Sequence, residues 1–127
     1  MSDLRIELQA GAAFSPGAEI WARVAWRLDT APESLELRLF WHTVGKGTED
    51  VEIVERVLLP PSIAGEQDLA LRSPAGPYSF SGRLISLVWG LELVAEPAGE
   101  TARAELVIAP DGEEIRLGGA DPGAEPV

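Results

Sequence analysis

Apolar and polar side chains alternate with a period of two through most of this chain. Leu4, Ile6 and Leu8 alternate with Asp3, Arg5 and Glu7. The run 19–29 sets Ile20, Ala22, Val24, Trp26 and Leu28 against Glu19, Trp21, Arg23, Ala25 and Arg27. A third run starts at Ser34 and turns Leu35, Leu37, Leu39 and Trp41 one way and Glu36, Arg38, Phe40 and His42 the other. Successive Cβ atoms of a strand point to opposite faces, so each run predicts a strand with one buried face. Residues 49–59 read as a fourth, but the alternation slips: Val51 and Ile53 share a parity that Glu55 breaks. A β-bulge near Val54, or a strand changing sheets, accounts for the slip. Helix is the competing reading there, and the β-branched content argues against it.

Pro60-Pro61 ends that strand, and a shorter one follows over 68–72 with Leu69 and Leu71 inward. The turn-rich stretch Gly76-Pro77-Tyr78-Ser79-Phe80-Ser81-Gly82 then opens into the longest apolar strand, with Ile85, Leu87, Trp89, Leu91 and Leu93 on one face. Beyond a turn at 96–100, Ala102, Ala104, Leu106 and Ile108 alternate with Thr101, Arg103, Glu105 and Val107. A tight turn at 109–113 is expected to close a hairpin onto 113–117. Turn residues punctuate the runs, and no internal repeat is visible. Seven or eight such strands predict an all-β fold, a two-sheet antiparallel β-sandwich. One domain over residues 1–118 is expected, with a disordered tail over 119–127, where almost nothing apolar remains to be buried.

The order of the turn motifs is more specific than the class. Phe14-Ser15-Pro16-Gly17-Ala18-Glu19-Ile20, then Leu58-Leu59-Pro60-Pro61, then Pro77-Tyr78-Ser79-Phe80-Ser81-Gly82 leading into a long strand, resembles the succession seen in arrestin-like domains. The resemblance spans residues 3–109 and implies an arrestin-like, immunoglobulin-related sandwich that serves as a protein-interaction scaffold. Arrestins usually join two such domains through a charged polar core, whereas this sequence carries the pattern once. Receptor and phosphopeptide recognition therefore do not carry over, and the functional implication is one of fold.

Composition narrows the chemistry. Among 127 residues there are 10 basic and 21 acidic side chains, a net charge of −11, and no cysteine. That charge repels phosphate backbones, so neither nucleic acid nor an anionic membrane surface is an expected partner. No apolar run approaches the ~18 residues of a membrane span, and a cytoplasmic location is expected. The absence of cysteine removes disulfides, thiolate metal sites and thiol nucleophiles. His42 is the sole histidine. Without a second histidine or a cysteine, zinc or copper would need three carboxylates, so a solvated histidine is the better reading. The acidic clusters Glu49-Asp50-Glu52 and Asp111-Glu113-Glu114 do not follow an EF-hand loop and read as solvated edge charges. No nucleophile elbow, Walker loop or dinucleotide fingerprint is present. We therefore expect no catalytic residues, no cofactor, no metal and no enzymatic activity.

The aromatic residues carry more. Trp26, Trp41 and Trp89 share the inward parity of their strands and are expected in the core. Trp21 and Phe40 lie on outward parity, as do His42 and, on the long strand, Leu84, Val88 and Val94. An outer face that is apolar on several strands is either covered or an interface. Trp21, Phe40, His42, Leu84, Val88 and Val94 are therefore the candidate interface, for a protein partner or for self-association as a homodimer. The alternative is a small-ligand-binding or catalytic cleft near Trp21, Phe40 and His42.

Overall fold

The period-two pattern becomes strand almost throughout the computed structural model, which describes residues 2–9, 11–45, 50–81, 85–110 and 115–116. In chain order the strands are β1 (Asp3–Leu8), β2 (Ala13–Phe14), β3 (Glu19–Arg27), β4 (Ser34–Gly45) and β5 (Val51–Leu59), followed by β6 (Ala64–Arg72), β7 (Phe80–Ser81), β8 (Ile85–Glu96), β9 (Glu100–Ile108) and β10 (Ile115–Arg116). Three of the ten are two-residue pairings, which leaves seven strands of six residues or more. Among the described residues there is no α-helix, and none long and apolar enough to cross a membrane.

The strands form two sheets. The smaller is antiparallel, in the order β1-β3-β6. The larger runs β10-β7-β8-β4-β5, with β9 joined to β8 and β2 to β9. β4 covers one edge of β8 along its whole length. β7 and β9 divide the opposite edge, β7 beside Ser86 and Leu87 and β9 beside residues 89–95.

Directly opposed residues of antiparallel strands point to the same face, so the registers define rows of side chains. Leu4–Trp26–Gly65, Ile6–Val24–Gln67 and Leu8–Ala22–Leu69 are inward rows of the smaller sheet. Val57–Leu37–Leu93–Ala102 and Trp41–Trp89–Leu106 are inward rows of the larger. Together these rows make one hydrophobic core, in which Trp89 is wholly enclosed. The Trp89 indole N–H donates to the Pro77 carbonyl at 2.7 Å, and that of Trp26 donates to the Ser62 carbonyl at 3.0 Å. Each buried tryptophan thus satisfies its one polar atom while pinning a loop.

The turn before the long strand is held as firmly. Ser79 is buried; its N–H donates to the Ile108 carbonyl at 2.7 Å and its Oγ accepts from the Ile108 N–H at 3.0 Å. A serine fits because one small side chain satisfies backbone groups that the end of β9 would otherwise leave unpaired.

The slip at residues 51–55 is a bulge. β4 pairs Leu39 with Glu55 but Phe40 with Ile53, which leaves Val54 as the extra residue. Other expectations change. The strand expected over 68–72 extends back to Ala64, because β3 offers it partners along its whole length. β10 does not fold back on β9 as a hairpin; it lies parallel to β7, with Ile115 beside Phe80. Trp41 is only half-buried, opposite Glu52 near the sheet edge, and Ile85 is exposed at the start of β8. Leu84 and the tail 119–127 lie outside the described residues, as do Glu49, Asp111, Glu113 and Glu114.

On one lateral side β1 packs against β9. On the other, β5 and β6 end their sheets, and neither pairs with a further strand among the described residues.

Candidate functional site

The outer face of the larger sheet gathers most of the outward residues singled out from the sequence. Its rows run across β5, β4, β8 and β9. One row is Val51–His42–Val88, the next Ile53–Phe40–Gly90–Glu105, then Arg56–Arg38–Glu92–Arg103, then Leu58–Glu36–Val94–Thr101. Two largely apolar rows thus lie on one side of a charged row, and a mixed row that carries Glu36 lies on the other.

Phe40 faces outward, yet only 5% of its surface is exposed. Three neighbours account for this. Gly90 opposite it has no side chain, so the ring lies flat against the sheet; a Cβ at position 90 would stand 3.0 Å from Phe40 Cζ. The His42 imidazole stacks on its other flank, with ring centroids 5.8 Å apart at 21°. The Arg103 guanidinium closes over the ring 5.0 Å from its centroid, a cation–π contact. Arg103 is held there by Glu92, at 3.0 Å.

The charged row and the adjacent Glu36 form a network. Glu36 accepts from Arg38 and from Arg56 Nη1 at 3.1 Å, and Arg38 reaches towards Glu92 at 3.9 Å. The hydrogen bond from Arg38 does most to hold the Glu36 carboxyl below its ordinary range, against the opposing effect of burial. The nearby charges of Arg38 and Arg56 add to the lowering. Three arginines and four glutamates (Glu36, Glu92, Glu96, Glu105) thus share the described part of this face on β5, β4, β8 and β9, which is close to neutral in a chain of net charge −11.

Phe40, His42, Val88, Gly90, Arg103 and Glu105 line a shallow depression of about 370 Å³. Nδ1 of His42 is buried there without a hydrogen-bond partner among the described residues. Beside the depression, the edge strand exposes Val51 (68%), Val54 and Leu58 (75%), and Val44 is exposed at the end of β4. These four were not singled out from the sequence. The signal was the slip at Val54: once a bulge is placed there, Val51, Ile53 and Leu58 fall on the same face as Phe40.

Trp21 does not belong to this face. It projects from β3 in the smaller sheet, on the opposite side of the sandwich from Phe40, so the two form neither one interface nor one cleft. The expectation failed because β3 and β4 follow one another in the chain without pairing. Trp21 is 44% exposed and donates from its indole to Glu19 at 3.2 Å. Its surroundings are a charged lattice in which Arg23 binds Asp68 at 2.8 Å and Gln9 donates to the same carboxylate at 3.1 Å. The hydrogen bond from Arg23 is also the largest cause lowering the Asp68 carboxyl below its usual range. Val94 is buried and Val88 half-buried, so of the outward apolar residues on β8 only Val88 offers surface to a partner. Among the described residues no group of three histidine or carboxylate side chains is placed to hold a metal ion.

No family model and no curated protein matches this chain. The fold is that of an arrestin-like β-sandwich. Spo0M, the sporulation control protein of Bacillus subtilis, superposes with a TM-score of 0.60 at 11% sequence identity. The match covers 85% of this chain and 49% of Spo0M, so the chain spans about half the length of that protein.

Proposed function

We propose that this domain is a non-enzymatic protein-interaction and scaffold module that docks a protein partner on the outer face of its larger sheet. The observation that carries the reading is the exposed Val44 and Val51 beside the Phe40–His42–Val88 surface, with exposed Val54 at the adjoining bulge. Scattered exposed apolar residues need no explanation, but several gathered beside an apolar surface on one sheet face do. Local charge balance supports the same face. The net charge of −11 disfavours acidic partners in general, and on this face Arg38, Arg56 and Arg103 offset it locally. Control of sporulation, which the name of Spo0M states for that protein, is in keeping with a regulatory rather than catalytic use of the fold.

The test is affinity capture from the native host with the wild-type chain and with a Val51→Glu/Val54→Glu variant, followed by titration of any identified partner against both purified proteins. Both positions are exposed on an edge strand, so the variant should fold normally. A partner that binds wild type and loses at least about tenfold in affinity for the variant supports the reading. Equal affinity for the two sinks it.

The depression lined by Phe40, His42, Val88, Gly90, Arg103 and Glu105 favours a second reading, a small ligand seated there. Native mass spectrometry of protein purified from its host would show such a ligand as a fixed mass increment, absent from a His42→Ala variant.

A further inference from the structure

The two strands that end the sheets on the open side of the sandwich differ in kind. β5 is guarded. It carries the bulge at Val54, and Glu52 and Glu55 share the inward rows of Trp41 and Leu39. Bulges and inward-pointing charges are the devices by which edge strands avoid pairing with other chains. β6 has neither. It pairs with β3 without interruption over the nine residues from Ala64 to Arg72, contains no proline, and turns Gly65, Gln67, Leu69 and Leu71 inward, none of them charged. A regular edge of that length, unpaired among the described residues, is a template for another strand.

We propose that β6 is a self-association edge, at which a second copy of this chain adds its own β6 antiparallel, in the register centred on Leu69. The choice of a second copy and of this register follows from charge complementarity. About a two-fold axis at Leu69, Glu66 of each copy stands opposite Arg72 of the other, so the dimer gains that pair twice. Asp68 falls opposite Ala70, Gln67 opposite Leu71, and Leu69 opposite its own copy. Glu66 and Arg72 are both exposed, and Leu69 is half-buried, so the second copy completes its cover. Neighbouring registers are worse. Centring on Asp68 sets two aspartates face to face, and centring on Gln67 opposes Glu66 to Asp68; like charges directly opposite are destabilising. Centring on Ala70 pairs Asp68 with Arg72, but Asp68 is already engaged by Arg23 and Gln9 within its own copy. The resulting six-stranded sheet leaves the outer face of the larger sheet uncovered in both copies. The inference does not depend on that docking face: loss of the dimer leaves the face intact, and loss of partner binding leaves the dimer intact.

Sedimentation of the purified full chain decides the matter, at an ionic strength of about 0.15 M so that charges beyond about 8 Å are screened. The expected result is a concentration-dependent monomer–dimer equilibrium, with amide exchange in β6 slowing as dimer forms. Glu66→Arg and Arg72→Glu should each weaken the dimer about tenfold, because the two-fold axis turns two attractive pairs into two repulsive ones. The double variant Glu66→Arg/Arg72→Glu should restore it. Arg72 also donates to the Gly17 carbonyl at 3.0 Å, so Glu66→Arg is the variant that reads the edge without touching that bond. A monomer at concentrations up to about 1 mM overturns the inference. So does a dimer indifferent to either reversal, or one that the double variant does not restore.

Discussion

The ring of Phe40 lies across Gly90, its cross-strand partner, so closely that a Cβ at position 90 would meet Phe40 Cζ at 3.0 Å, Phe40 Cε1 at 3.1 Å and the Ala104 carbonyl at 3.3 Å. The smaller sheet repeats the arrangement on its inner face. There Trp26 stands opposite Gly65, and a Cβ would lie 2.5 Å from the indole. In each sheet a glycine inside a strand makes room for an aromatic ring to lie flat, which is one of the few reasons to keep a residue that weakens strands.

Gly90→Ala should therefore lift Phe40 from the sheet and separate it from Arg103. The cost expected for such crowding is about 1–3 kcal/mol. Chemical denaturation checks it through the shift in midpoint at constant slope. Phe40→Leu in the Gly90→Ala background should recover part of the loss, because a smaller side chain tolerates the added methyl.

Trp89 and Trp21 should behave oppositely. Trp89 is fully enclosed and bonded to the Pro77 carbonyl, so Trp89→Ala should cost about 3–5 kcal/mol, enough to threaten a domain whose total stability is of order 5–15 kcal/mol. Trp21 is exposed on the far sheet, and Trp21→Ala should stay within about 0.5 kcal/mol of wild type. Denaturation midpoints of the two variants test both halves.

Glu36 should contribute to acid sensitivity. Its carboxyl is held below its ordinary value of 4.5, chiefly by the hydrogen bond from Arg38. The ionised form thus stabilises the fold at neutral pH, and that contribution is lost as pH falls from 4.5 through the lower folded value. Glu36→Gln should lower stability near neutrality and flatten its dependence on pH in that acidic window. Thermal midpoints measured across the window decide it; parallel curves for wild type and variant would exclude a role for Glu36.

Deleting Val54 should remove the bulge without moving the register, because Glu55 and Ile53 already pair with the adjacent residues Leu39 and Phe40. The shortened chain should fold with stability changed by no more than about 1 kcal/mol and should aggregate more readily, since a regular edge pairs more easily. Light scattering during incubation, compared with wild type, provides the measurement. Unfolding of the variant would show that the bulge is required by the fold rather than by the edge.

The legible part of the candidate site was its parity. His42, Val88 and Phe40 do share one face, because side-chain direction along a strand is local and needs no knowledge of neighbours. The cover over Phe40 was not legible. It depends on Gly90 and Arg103, 50 and 63 positions further along the chain, which only strand pairing brings alongside. The burial of Val94 arises in the same way.

By itself the sequence determined most of the long strands, the parity of their inward faces, the irregularity at Val54 and the sandwich class, all of which follow from a period of two and from turn residues acting over a few positions. Only the tertiary structure decided which strands are neighbours. It separated Trp21 from Phe40 by placing β3 and β4 in different sheets, laid β10 parallel to β7, and left β5 and β6 without a further partner strand among the described residues. The physical reason is that a hydrophobic face specifies that it must be covered, whereas the partner that covers it is set by non-local pairing and packing.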